Sequence, residues 1–149
     1  MMKIFLGADH NGFDLKEQIE NWLRESGYDV FDEGNRQYSK DDDFPQFAGR
    51  VVHAMRASSD KDPRGILICG SGQGMCMAAN RFNGIRASLV WNQEEAVSSR
   101  NDDDSNVLCL PAREINLQTA QGIVTTWLNT PFAGATRFVR RIKEMDHLS

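Results

Sequence analysis

The sequence predicts an α/β fold, a parallel sheet of five strands covered by helices on both faces. Three observations predict it. Short apolar runs alternate with amphipathic stretches along the whole chain. One run, Ile66-Leu67-Ile68-Cys69, is apolar without interruption, as in a strand buried on both faces. The stretches between runs are long enough for the crossover helices that parallel pairing requires.

Ile4 to Ala8 is the first strand. The helix after it, about Phe13 to Glu25, sets Leu15, Ile19, Trp22 and Leu23 at helical spacing. Ser26-Gly27 ends it, with Gly27 suited to the left-handed position past a helix terminus. Tyr28 to Phe31 is the second strand. A polar loop, Glu33 to Asp43, leads to Phe44-Pro45 and a helix carrying Phe47, Val51, Val52 and Met55. After the third strand, Ile66 to Cys69, the run Gly70-Ser71-Gly72-Gln73-Gly74 opens a helix through Met77, Ala78 and Ala79. Ala87 to Val90 and Val107 to Leu110 supply two further strands, with a helix from about Gln93 to Arg100 between them. Helices from Asn116 to Leu128 and from Gly134 to Met145 finish the chain. No internal repeat, low-complexity tract or linker divides it, so residues 1–149 read as a single domain. Asp41-Asp42-Asp43 and Asp102-Asp103-Asp104 read as solvated charge runs in loops or at helix ends.

A length of 149 residues suffices for a real core, and 40% hydrophobic with 26% charged residues is an ordinary globular balance. The net charge of −4 argues against a general nucleic-acid-binding role. The chain reaches Asp9 before a signal-like apolar stretch can form, and no run approaches the ~20 residues of a membrane span. A cytoplasmic protein with no membrane partner is expected. Cys69, Cys76 and Cys109 cannot all pair and form no C-x-x-C motif, and His10, His53 and His147 are scattered. A disulfide framework and a zinc site are therefore disfavoured, and chemistry without metal or cofactor is expected.

In open parallel sheets ligands collect beyond the carboxyl ends of the strands. Asp9-His10 and Cys69 to Gly74 both fall there. Glycines 70, 72 and 74 allow tight turns in which backbone N–H groups face an anion, and the next helix adds its positive dipole end. The spacing G-x-G-x-G after the third strand, with Val90-Trp91 closing the next, disfavours a dinucleotide site, and no Gly-Lys-Ser/Thr makes a P-loop. A thiol at a strand end facing a helix N-terminus is expected to be acidified and nucleophilic, which singles out Cys69. Cys76 and Cys109 read as small buried apolar residues.

Gly65 to Gly74, Ala78-Ala79-Asn80 and Gly84-Ile85-Arg86-Ala87 resemble the ribose-5-phosphate isomerase B and galactose-6-phosphate isomerase family. So do Gly7 to Phe13 with Leu15-Lys16, the Asp43-Phe44-Pro45 turn, Ser105 to Leu108, Arg113, Trp127-Leu128 and Arg137-x-x-x-Arg141. The resemblance covers nearly the whole chain. It implies a Rossmann-like three-layer αβα sandwich and a homodimer, or a tetramer, whose active sites draw on both subunits, the helix from about 134 packing on the partner. It implies aldose–ketose isomerisation of a sugar phosphate through a cis-enediolate, with Cys69 as base. Ser71 and the backbone of Gly70, Gly72, Gln73 and Gly74 would hold the oxyanion, Asp9 and His10 the substrate's hydroxyls or its phosphate end, and Arg113, Arg137 and Arg141 the phosphate. The glutamate that some members carry in the loop helix is Met75 here.

The chain departs from the family pattern in one stretch that bears on substrate. Asp102 and Asp103 stand where the family carries the histidine that opens the furanose ring and its asparagine neighbour. Phe138 replaces a histidine, Pro111 a glycine, and one residue is inserted before Arg137. An aspartate, with a reference pKa of about 3.9, is a poor proton donor at neutral pH. Besides ribose 5-phosphate, an open-chain tetrose phosphate such as erythrose 4-phosphate is thus a candidate substrate. A phosphosugar-binding protein without activity is the alternative outside catalysis.

Overall fold

The computed structural model describes residues 2–148. Five strands, β1 (Lys3–Ala8), β2 (Asp29–Asp32), β3 (Arg64–Cys69), β4 (Ala87–Leu89) and β5 (Val107–Pro111), form one parallel sheet in the order β2-β1-β3-β5-β4. Six helices connect or follow them: α1 (Phe13–Glu25), α2 (Phe44–Ala57), α3 (Gln73–Ala79), α4 (Gln93–Asn101), α5 (Leu117–Asn129) and α6 (Thr136–Asp146). The expected three-layer sandwich is observed.

Strand periodicity builds two cores from the same strands. Ile4, Leu6, Ile66, Ile68, Leu108 and Leu110 point to the face covered by α1 and α5, where Ile19, Leu23, Ile123 and Trp127 meet them. Phe5, Leu67, Cys69, Val107 and Cys109 point to the other face, against Phe47 and Val51 of α2 and Met75 of α3. This alternation decides that Cys69 shares a face with the helix it precedes.

Several ends differ from the sequence reading. β3 begins two residues earlier, at Arg64, because its guanidinium forks onto Asp62 and stacks over the Trp127 ring at 5.1 Å. β5 takes in Pro111, which pairs Cys69; β4 stops at Leu89 opposite Cys109, so the missing N–H costs no outer bond. Asn116 is the N-cap of α5, its side chain accepting from the Thr119 N–H. Gly134 lies before α6 with φ +70. Gly27 sits past α1 as expected, φ +90, while Tyr28 N–H bonds Leu23 O and Gly27 N–H bonds Arg24 O.

Two acidic residues expected in solvent are drawn into ion pairs or hydrogen bonds instead. The Asp42 side chain is 6% exposed. Asp104 clamps Arg100 at 2.7 Å and Arg86 at 3.2 Å. Each charge run is thus solvated only in part: Asp41, Asp43 and Asp103 are exposed, whereas His10 folds against Asp42, and Arg86 and Arg100 against Asp104.

Lys16 is fully buried, its ammonium held at 2.7 Å by Asp32 and by Glu17. Replacing it with methionine leaves Asp32, largely enclosed, without its counter-charge. We expect a loss of about 3 kcal/mol in urea unfolding, less whatever solvent recovers through the half-exposed Glu17; an unchanged midpoint would contradict this.

Candidate active site

Successive connections leave the sheet in opposite directions from β1 and β3, because β2 lies on one side and β5 and β4 on the other. The crevice at such a switch point opens at the carboxyl ends of these two strands. Asp9-His10 follow β1 and Cys69-Gly70 follow β3, so both predicted segments come together there. Gly12 makes this closeness possible. A Cβ on it would lie 2.3 Å from Ile68 O, so the entry to α1 rests directly on the end of β3.

Cys69 is 5% exposed, enclosed with Met75 and Cys109 at the base of the glycine turn. Ala112 N–H donates to Cys69 O at 2.9 Å and Arg113 N–H to Gly70 O at 3.0 Å, tying the turn to the end of β5. A Cβ on Gly70 would meet Arg113 Nε at 2.9 Å, so the guanidinium lies flat on that glycine. Gly72 has φ +75, and a Cβ there would strike Leu89 Cδ1 at 2.4 Å. Gly74 gives room to the Phe44 ring, 2.8 Å from a built Cβ. Gln73 is exposed, and its N–H donates to Ser71 Oγ at 3.3 Å. One amide of the expected nest is thus spent on Ser71.

Across the crevice, Asp9 is 5% exposed and its Oδ1 accepts from the N–H groups of Asn11 and Gly12. Burial pushes its carboxyl above the usual range, against the lowering effect of the Gly12 amide, the His10 charge and the Asn11 amide. Asp42 Oδ1 accepts from His10 Nδ1 at 2.8 Å and from His10 N–H at 2.9 Å. Asp42, which the sequence reading left in solvent, is therefore part of the site. Nothing in the charge pattern marks it; only its place at the carboxyl edge of the sheet does. Asp9, His10 and Asp42 lie at metal-ligand spacing, but His10 Nδ1 and Asp42 Oδ1 already bond each other.

Other expected site residues lie elsewhere in the chain. Asp102 and Asp103 precede β5, at the amino edge of the sheet. Gly65 pairs Val107 and Cys69 pairs Pro111, so Cys69 is about 13 Å further along the strands at ~3.3 Å per residue. The Asp102 side chain accepts from Asn101 Nδ2 at 2.8 Å. The Asp103 carboxyl is raised, first by burial and then by the Asp102 charge, with Arg141 opposing. Arg141 is thus near the same edge. Arg137 stacks on the Phe138 ring at 4.3 Å. Among the described residues no hydrogen bond or ion pair joins Arg137 or Arg141 to the Cys69 turn, so one chain alone does not converge all three arginines on a phosphate.

The two remaining thiols differ from each other. Cys109 is fully buried, as expected, and burial pushes its thiol well up. Cys76 is only half-buried, and a hydrogen bond from Cys109 lowers it to about 7, so it is not the inert apolar residue expected.

Known proteins are similar to this chain over nearly its whole length. The family model described as Ribose/Galactose Isomerase matches residues 4–145. A ribose-5-phosphate isomerase B of Escherichia coli is 42% identical over 134 residues, 90% of this chain and 88% of that protein. Among solved structures, a ribose 5-phosphate isomerase from Thermotoga maritima superposes with a TM-score of 0.91 at 41% identity, covering 97% of both chains. The Mycoplasma genitalium ribose-5-phosphate isomerase B, solved with bound ribulose-5-phosphate, gives 0.91 at 39%, covering 97% of this chain and 94% of that one. With its switch-point crevice, its glycine turn and these likenesses taken together, the chain belongs to the ribose/galactose isomerase family.

Proposed function

We propose that the protein interconverts ribose 5-phosphate and ribulose 5-phosphate without a cofactor. One observation carries this reading: Cys69 ends β3 at the base of a glycine turn on which Arg113 lies, and the polar pair Asp9-His10 follows the neighbouring strand β1. The Cys69 thiolate takes the proton from C2 of the open aldose. The electron pair of that C–H bond forms the C1–C2 double bond, and the C1 carbonyl oxygen becomes the oxyanion of a cis-enediolate. Ser71, oriented by the Gln73 N–H, and the backbone of Gly70, Gly72 and Gly74 stabilise that charge; a proton then passes from O2 to O1, and the Cys69 thiol returns its proton to C1 as the electron pair on O2 forms the C2 carbonyl. Near-exclusion of water around Cys69 strengthens these interactions. Asp9 and His10 hold the hydroxyl end, and Arg113 takes the phosphate.

Asp102 and Asp103, with Arg141 near them, lie at the edge of the sheet opposite their own Cys69 turn, which supports a homodimer whose sites take these residues and Arg137 from the second copy. In support, Phe138 is the one buried side chain of α6, and Gly134, Thr136, Val139, Arg140, Lys143, Glu144 and His147 line an open groove of about 590 Å³ beside it. Among the described residues no helix is long and apolar enough to cross a membrane, and three free thiols fit the reducing cytoplasm.

Purified protein incubated with ribose 5-phosphate in deuterium oxide is expected to form ribulose 5-phosphate carrying deuterium at C1, followed by proton NMR. Absence of both product and exchange would overturn the reading in favour of a binding protein. Asp102 and Asp103 support a second reading, an open-chain tetrose phosphate as substrate. A higher kcat/KM for erythrose 4-phosphate than for ribose 5-phosphate would select it.

A further inference from the structure

We infer that His10, oriented by Asp42, gives the proton that opens the furanose ring of the substrate, Asp42 being its positioning residue. The inference rests on the pentose-phosphate reading above. A carboxylate only accepts hydrogen bonds, so the 2.8 Å contact places a proton on His10 Nδ1. Nε2 is then the atom that gains and loses the exchangeable proton. The same Asp42 oxygen also takes the His10 backbone N–H, and Asn35 Nδ2 reaches Oδ2 at 3.4 Å, so ring and main chain are pinned together. The imidazole remains reachable, its side chain 29% exposed.

Position and charge both favour a proton donor over a phosphate ligand here. Asp9, at the end of β1, and Asp41 and Asp42, in the loop before α2, act on His10 through their charges. Together they hold the imidazole above its ordinary pKa, the Asp42 hydrogen bond contributing most and partial burial opposing. Three carboxylates repel a phosphate dianion, whereas the ring oxygen of a sugar is neutral. Arg113, a cation at this edge, lies on Gly70 after β3, and it is not among the groups that act on His10. His53 packs edge-on against Phe82, and the His147 imidazole contacts Lys143 O, so neither serves this crevice.

In the ring-opening step the bond between C1 and the ring oxygen breaks. Its electron pair stays on the ring oxygen, which takes the proton from His10 Nε2. The C1 hydroxyl becomes the carbonyl, releasing its proton to water, and His10 recovers a proton from solvent.

Ring opening makes the two furanose anomers exchange whether or not isomerisation follows. The test is saturation transfer between the anomeric signals of ribose 5-phosphate labelled with ¹³C at C1, using the full-length protein. The Cys69→Ala variant, unable to isomerise, is expected to speed exchange in proportion to its concentration. Adding His10→Gln lowers that acceleration about 100-fold, and adding Asp42→Asn about tenfold. Asp42→Asn also moves the alkaline fall of the exchange rate to lower pH, because the imidazole loses the group that keeps it charged; Asp42→Glu restores part of the rate. No acceleration by Cys69→Ala, full acceleration after His10→Gln, or an unshifted pH profile in Asp42→Asn would each overturn the inference. Wild-type protein that accelerates anomer exchange yet forms no ribulose 5-phosphate would sink the isomerase reading and leave the ring-opening role standing.

Discussion

Cys69→Ala is expected to lower kcat for ribose 5-phosphate by about a thousandfold, with KM changed far less, since a positioned acid–base group contributes roughly 10²–10⁴ in rate. The substitution removes the only thiol on the glycine turn and leaves Gly70, Ser71 and Arg113 in place. Cys76 does not substitute for it. Although lowered to about 7, its thiol bonds Ala87 O at 3.4 Å and Cys109 from within α3, not the turn itself. A Cys69→Ala protein that retains wild-type kcat in the coupled assay, or still exchanges deuterium at C1, would remove Cys69 from the chemistry.

Gly12→Ala is expected to cost about 3 kcal/mol or more and to impair activity along with stability. The added methyl would lie 2.3 Å from Ile68 O and 2.6 Å from its carbonyl carbon, both main-chain atoms of β3 that no rotamer change can move. Relief requires α1 to lift from the sheet. That motion carries away the Gly12 N–H, which Asp9 Oδ1 accepts at 3.2 Å, and so disturbs the polar side of the crevice. Chemical unfolding reads the stability loss, and KM reads the site. Gly27→Ala is the contrast: no atom lies within 4 Å of a Cβ there, so its cost comes from φ +90 alone. Equal stability of Gly12→Ala and wild type would show that the α1–β3 contact yields without cost.

Much of the architecture was legible because strand and helix periods are local. The unbroken run at Ile66–Cys69 is buried along its whole length, and α1 spans the predicted Phe13 to Glu25. Errors gathered at ends, where a distant partner extends a strand: Arg64 is drawn into β3 by Trp127 and Asp62. Charges were misread wherever the partner is remote. Asp42 meets His10 thirty-two positions away, and Asp104 meets Arg86 eighteen away.

By itself, the sequence determined the five-stranded parallel sheet, the glycine turn and the candidacy of Cys69, since spacing and residue type suffice for each. Only tertiary structure decided which of the named groups share an edge of that sheet. Parallel strands all run one way, so residues after a strand and residues before one end up about 13 Å apart however close they stand in a motif. Asp9, His10, Asp42, Cys69 and Arg113 gather at the carboxyl edge, while Asp102 and Asp103 lie at the amino edge with Arg141 nearby.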